Sequence, residues 1–238
     1  MYAVLFDLDD TLYPERSYVE SGFRAVAQTL AATAEQQDAL VQHMFELFIE
    51  NTVGVFDRLL GRVSDADGAG RTPRTVQELV EVYRRHAPKI QLYEDVIPTL
   101  KELRRQGIRL GIITDGRAEG QQAKLDALGL AEAVDVVVLT DALGPGRMYW
   151  KPHPRGFEIA LSKLGVVPRR SVYVGDNPTK DFQAPAQLGM KTVRIHRHDA
   201  LNLFARNAEG IGAQHDAEYV VESLEQLIPL LRQWSWIN

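Results

Sequence analysis

Apolar residues recur along this chain in two rhythms, and the change of rhythm divides it. Between Tyr18 and Leu60 they fall at helical spacing: Phe23, Val26 and Leu30, then Leu40, Val41, Met44, Phe45 and Phe48. Ala, Gln, Leu and Glu dominate this stretch and β-branched runs are few, so it predicts two or more amphipathic helices. The polar, Gly-containing segment Ser64-Asp65-Ala66-Asp67-Gly68-Ala69-Gly70 predicts a loop. It lacks the third oxygen ligand and the terminal Glu that a calcium loop requires. Thr72-Pro73 then predicts an N-cap and first turn for a helix running from Pro73 to Arg85.

From Tyr93 onward short β-branched runs alternate with helical patterns. The runs cover 109–113, 134–139, 172–174 and 192–195; the helical patterns cover 94–106, 117–128, 154–164 and 179–188. Such alternation predicts a parallel sheet covered by helices on both faces. Tyr2-Ala3-Val4-Leu5-Phe6 reads as a buried first strand, Tyr219-Val220-Val221 as a last one, and Leu224 to Leu231 as a closing helix. The all-helical block is then an insertion after the first strand, entered at Pro14 and left near Pro88 to Tyr93.

Composition agrees with a globular α/β chain. Of 238 residues, 45% are apolar and 25% charged, enough for one α/β domain carrying a sizeable insertion. A net charge of −5 supplies no basic field to draw in nucleic acid. Cysteine is absent, which excludes disulfides, thiolate metal sites and a cysteine nucleophile. No apolar stretch reaches the ~18 residues of a membrane span. Asp7, Asp9 and Asp10 interrupt the N-terminal apolar run too early for a targeting segment. The expectation is a soluble, cytoplasmic protein with no nucleic-acid or membrane partner, a monomer or homodimer.

Ligands of open parallel sheets bind at the C-terminal ends of the strands. The first strand ends in Asp7-Leu8-Asp9-Asp10-Thr11, the second in Thr114-Asp115-Gly116, the fourth in Gly175-Asp176-Asn177 followed by Asp181. Lys151 precedes a helix in Tyr149-Trp150-Lys151-Pro152-His153-Pro154. In extended chain Asp7 and Asp9 would share a face, and two such carboxylates repel unless a cation sits nearby. That pairing suits a metal-dependent reaction in which one Asp attacks and the other moves protons. An acidic, solvated turn gives the same letters, and helix capping explains each other piece singly. Capping does not explain why all of them gather at one edge of one sheet.

In order along the chain, Asp7-Leu8-Asp9-Asp10-Thr11, Thr114, Lys151 and Gly175-Asp176-Asn177 through Asp181 resemble the four motifs of the haloacid dehalogenase-like (HAD) superfamily. Phosphatases dominate that family, and the likeness is to the branch with a helical cap after the first strand. The resemblance implies a Rossmann-like parallel α/β core, residues 1–13 and 92–238, and an inserted α-helical cap domain, residues 14–91. It implies Asp7 as nucleophile and Asp9 as general acid and base. Mg2+ would be held by the Asp7 and Asp176 carboxylates and the Asp9 backbone carbonyl. The Thr114 hydroxyl, the backbone around Asp115 and Gly116, and Lys151 would receive the phosphate. Thr11, Asn177 and Asp181 would support the site, Asp181 either through a metal-bound water or by holding Lys151. Asp10 is expected in a surface or flap role, and Asp115 to matter through its backbone more than its side chain. Tyr13-Pro14-Glu15-Arg16 is expected to form the hinge and flap that let the cap close, where Arg16 either meets substrate or, the reading preferred, stays a solvated charge.

The implied activity is a magnesium-dependent phosphohydrolase acting on a small phosphorylated metabolite, sugar phosphates among the candidates, through an aspartyl-phosphate. A phosphomutase of the β-phosphoglucomutase type would use the same two Asp residues. A 2-haloacid dehalogenase has no need of Asp9, since halide leaves without a proton. A catalytically idle binding module would hold an unused cluster of acids at a cost. Elsewhere, His196 and His198 do not close a metal site by themselves. Trp234 and Trp236 read as packing or an oligomer contact, and Gly144-Pro145-Gly146 as a turn.

Overall fold

The structure, a computed structural model, describes residues 1–63, 75–201 and 216–237. The polar loop at Ser64 to Gly70 and the helix start at Thr72-Pro73 therefore lie outside the described residues. The chain forms two compact units: Met1–Glu15 with Ile90–Asn238, and Arg16–Lys89.

The chain begins with β1 (Ala3–Phe6) and then turns helical in α1 (Glu15–Leu30), α2 (Ala34–Glu50), α3 (Val55–Val63) and α4 (Val76–Arg85). Thr33 caps α2 by accepting from the Gln36 N–H. Thr75 and Glu78 form a reciprocal capping box at the start of α4. The Arg16–Lys89 unit is built on Phe23, whose ring meets Phe45, Phe48 and Phe56 edge-on at centroid distances of 5.2, 5.9 and 6.2 Å. Arg16 is exposed, in keeping with a solvated charge, and its guanidinium carbon lies 4.8 Å over the Phe45 ring.

The remaining elements are α5 (Val96–Arg105), β2 (Arg109–Thr114), α6 (Ala118–Ala127), β3 (Val136–Leu139), α7 (Arg155–Leu164), β4 (Ser171–Gly175), α8 (Gln183–Leu188), β5 (Lys191–Ile195), β6 (Tyr219–Val221) and α9 (Leu227–Gln233). All six strands run parallel in the order β3-β2-β1-β4-β5-β6. The central strand β1 pairs Leu5 with Gly111 on one side and with Tyr173 on the other. Ala3 and Leu5 enter a core with Phe157, Ala160 and Leu161 of α7, while Val4 and Phe6 point the opposite way and are equally buried. Both faces are thus covered, which is why the strands read as unbroken apolar runs. Gly111 is needed for this packing, because a Cβ there would stand 2.5 Å from Leu5 Cδ2 and 2.8 Å from Val136 Cγ1.

Two elements differ from the sequence pattern for local reasons. The helix expected over 179–188 is only Gln183–Leu188. Residues before it form a turn in which Asp181 accepts from the Asn177 N–H at 2.9 Å and Asn177 accepts from the Thr179 N–H and hydroxyl. The closing helix begins as a 3-10 turn, Leu224–Gln226, ahead of α9. Trp234 and Trp236 pack within the chain, Trp236 stacked on Tyr2 at 4.8 Å and Trp234 tilted against Tyr219 at 5.1 Å. His196 and His198 are exposed. No helix among the described residues is long and apolar enough to cross a membrane.

Candidate active site

Asp7 leaves β1 with its N–H still bonded to the Val174 carbonyl at 2.8 Å, so the strand ladder itself aims its carboxylate beyond the sheet edge. The residues after β2 and β4 reach the same edge. Together they line an open cleft of about 340 Å³ that includes Asp7, Asp9, Gly116, Lys151, Asp176 and Asn177.

Lys151 is the centre of the charge arrangement. Its Nζ donates to Asp7 Oδ1 at 2.7 Å and to the Tyr173 hydroxyl at 2.8 Å, and lies 2.8 Å from Asp181 Oδ1. Burial acts to lower the pKa of this lysine, but Asp181, Asp7 and Asp115 together hold it well above the ordinary value. Burial pushes Asp7 up, with Lys151 and Lys180 opposing. Asp176 is raised well above the usual carboxylate range, by burial first and then by the charges of Asp181 and Asp7.

Beyond burial, the two upward shifts share one cause, the neighbouring charge of Asp181. Asp7, Asp176 and Asp181 bring carboxylate oxygens within 4.8 Å of one another in a buried setting. Asp7 Oδ2 is buried and makes no hydrogen bond. Hard oxygen donors, excess negative charge and an unbonded carboxylate oxygen are what a divalent cation relieves, so the residues fit a divalent metal. Asp181 is already committed to Lys151 and to the Asn177 N–H, which leaves Asp7 and Asp176 as the better carboxylate ligands.

The Asp9 carboxylate pairs with a different lysine from that of Asp7. Its Oδ1 accepts from Lys124 Nζ at 2.6 Å and from the Tyr13 hydroxyl in a short bond, and its Oδ2 accepts from Gln121 Nε2 at 2.8 Å. Burial acts to raise this carboxyl, but the Lys124 charge and the three donors prevail and hold it below the usual range. Gln121 also donates to Thr114 Oγ1 at 2.5 Å, joining the ends of β1 and β2.

Several expectations change. Asp10 is not at the surface: it is 3% exposed, sits at φ +50°, and accepts from the Glu15 N–H and the Leu201 N–H. Burial raises its pKa to about 6. It clamps a turn, in a backbone region that Asp tolerates. Asp115 acts through its side chain, accepting from Thr140 Oγ1 at 2.6 Å and the Lys151 N–H at 3.1 Å. Thr11 contributes its backbone, since its carbonyl accepts from Arg197 while its hydroxyl makes no hydrogen bond. Gly116 lines the cleft at φ +120°, a conformation that requires glycine, but the first helical N–H beyond it, Ala118, is taken by Asp141.

Four residues at the site were not marked by sequence reasoning, Gln121, Lys124, Tyr173 and Lys180, and Tyr13, expected in the hinge, also bonds to Asp9. Lys180 Nζ stands 4.0 Å from Asp7 Oδ2 and 3.8 Å from Asp115 Oδ2, beyond hydrogen-bond reach of either. The available signal for Gln121 and Lys124 was their i, i+3 spacing on a helix that starts directly after a site-bearing strand.

The profile of the haloacid dehalogenase-like hydrolases matches residues 1–189. A glyceraldehyde 3-phosphate phosphatase of Methanopyrus kandleri is 34% identical, with 97% of each chain covered. The crystal structure of a HAD phosphatase from Thermococcus onnurineus superposes with a TM-score of 0.59 at 28% identity, covering 97% of this chain and 98% of that one. A HAD-family hydrolase from Deinococcus radiodurans, solved with phosphate and sodium bound, gives a TM-score of 0.67 at 20% identity over 100% of this chain and 98% of that one. The chain belongs to the haloacid dehalogenase-like hydrolases. It is an enzyme of their phosphatase branch.

Proposed function

We propose that this enzyme hydrolyses the phosphate monoester of a small metabolite through an aspartyl-phosphate on Asp7, with Mg2+ as the metal. The observation that carries this reading is the asymmetry of Asp7: Lys151 holds one carboxylate oxygen at 2.7 Å while the other is buried without a hydrogen bond. A carboxylate so held has a fixed orientation and an uncommitted oxygen, the combination wanted of an in-line nucleophile.

In the first step an Asp7 oxygen bonds to phosphorus and the bond from phosphorus to the leaving oxygen breaks. Asp9 enters this step protonated, against the pull of Lys124, Tyr13 and Gln121, gives the leaving oxygen its proton and becomes the carboxylate. In the second step water attacks phosphorus, Asp9 takes the water proton, and the bond to Asp7 breaks to release inorganic phosphate. Asp7 and Asp176, with the Asp9 carbonyl, would hold Mg2+, which supplies positive charge against the approaching phosphate. Lys151 and the Thr114 hydroxyl receive phosphoryl oxygens, and Asp181 and Tyr173 fix Lys151 for that task. Asn177 keeps Asp181 in register by its N–H. The helical unit Arg16–Lys89 is assigned the substrate-selecting role of a cap.

For the substrate, similarity to a glyceraldehyde 3-phosphate phosphatase favours a three-carbon phosphate ester, and larger sugar phosphates are the next class to try. Phosphate release is to be measured over a panel of phosphorylated metabolites with magnesium, beside Asp7→Asn. Release that depends on magnesium and disappears in Asp7→Asn is expected; release that survives the substitution overturns the reading.

A further inference from the structure

The two acids after β1 are sorted by two lysines from different elements. Lys151 takes Asp7, and Lys124, projecting from α6, takes Asp9 at 2.6 Å. The Lys124 side chain is only 5% exposed, although α6 is otherwise a peripheral helix with few buried positions. Burying an ammonium on such a helix is costly, and an aliphatic residue would fill the same helix face at no such cost. The pair therefore has little to recommend it as a means of docking α6. Its effect is on Asp9: with Gln121 on Oδ2 and Tyr13 beside Lys124 on Oδ1, both carboxylate oxygens are held and the side chain has one orientation.

We infer that Lys124 is the positioning residue of Asp9, fixing the carboxylate in the orientation from which it exchanges a proton with the leaving oxygen. Gln121 assists, and because its amide also donates to Thr114 Oγ1 at 2.5 Å, it keys that orientation to a phosphate-binding position. The inference rests on Asp9 being the acid of the proposed mechanism. It accounts for a lysine outside the four family motifs, and it accounts for the separation of the two acids that adjacent numbering would place together.

The role is read from leaving-group dependence. kcat/KM reports transfer to Asp7 alone, and a proton matters to that step when an alkoxide departs but hardly when 2,4-dinitrophenolate does. Wild type, Asp9→Asn, Lys124→Met and the double variant are to be compared on an alkyl phosphate and on 2,4-dinitrophenyl phosphate, with folding checked by thermal melts. Lys124→Met is expected to lower kcat/KM on the alkyl ester by about 10²-fold and on the dinitrophenyl ester by less than about tenfold. In the Asp9→Asn background it should cost the alkyl ester nothing further. Equal losses on both esters, or a loss that adds fully to that of Asp9→Asn, overturn the positioning role and leave only a structural or charge effect. If Asp9→Asn alone lowers both esters equally, Asp9 is not the acid, and the failure belongs to the mechanism because Lys124 is intact in that variant. Should Lys124→Met not fold, Lys124→Gln, which keeps a donor without the charge, is read on the same ratio of the two esters.

Discussion

The Lys151 ammonium lies 2.7 Å from the Asp7 carboxylate, and neither side chain is more than 2% exposed. The same ammonium is 2.8 Å from Asp181. One buried cation thus balances two acids, with Asp176 as a third close by. Lys151→Met removes that balance. Metal-free protein is expected to lose about 3–5 kcal/mol, as when one member of a buried pair is deleted. Phosphate release should fall by about 10²-fold or more. The more anionic cluster should nevertheless bind magnesium more tightly than wild type. Calorimetric titration with magnesium, run beside urea unfolding, checks both signs: weaker magnesium binding in Lys151→Met would contradict this account of the cluster.

Gly175 lets Asp181 reach Lys151. A Cβ on Gly175 would stand 2.5 Å from Asp181 Oδ2 and 2.9 Å from its Cγ, so Gly175→Ala must push the carboxylate aside. The expected cost is about 1–3 kcal/mol of stability, the usual price of overpacking, and about 10²-fold in kcat from displacing the lysine's anchor. Gly129→Ala is the matched control. Gly129 has φ +64° with nothing near its Cβ position, so it should lose about 1 kcal/mol and keep full activity. Thermal melts and steady-state rates on the two variants separate backbone strain from damage to the site.

The legible part of this protein was the part in which chain pattern and burial coincide. Parallel strands buried on both faces are continuous apolar runs, so β1, β2 and β4 and the acids at their ends could be read directly. Lys124 and Gln121 could not, because their meaning lies in contacts made 115 and 112 residues away, on a helix without a clear apolar stripe. Tyr173 sits inside an apolar run and looks like core until its hydroxyl is seen against Lys151. The polar segment after Asp176 has helical propensity, but side-chain bonds from Asn177 and Asp181 offer its backbone a tighter turn, and the turn wins. Asp10, expected in a surface or flap role from its place between Asp9 and Thr11, is brought inside by two backbone N–H groups, one of them Glu15's, and by a left-handed φ.

Arg197 governs the loop that carries Asp9. Its guanidinium grips Asp95 with bonds of 2.7 and 3.0 Å and donates to the Thr11 carbonyl at 3.0 and 3.3 Å, while Asp95 also accepts from the Leu224 N–H. Arg197→Met leaves a mostly buried carboxylate unpaired and is expected to cost about 3–5 kcal/mol. Asp95→Asn/Arg197→Met, which removes both charges, should recover part of that loss. Urea unfolding of the single and double variants measures the difference. A double variant as unstable as the sum of the two single ones would show that the charges are not coupled.

Asp176 is the clearest place where binding and stability oppose each other. Its carboxyl is 7% exposed and raised well above the ordinary range by burial and by Asp181 and Asp7, so as an anion it destabilises the metal-free fold. Asp176→Asn removes a charge that Lys180 offsets only in part, and the metal-free variant is expected to melt higher than metal-free wild type. Magnesium reverses the order. At about one hundred times its Kd a ligand adds about 2.7 kcal/mol to the native state, or about 5–10 °C for a chain of this size. Wild type should gain that shift and lose it again on adding EDTA; Asp176→Asn should gain little. Melting curves of both proteins with and without magnesium decide the matter. A magnesium shift of equal size in the two would remove Asp176 from the metal site and leave its raised pKa as a plain cost of burial.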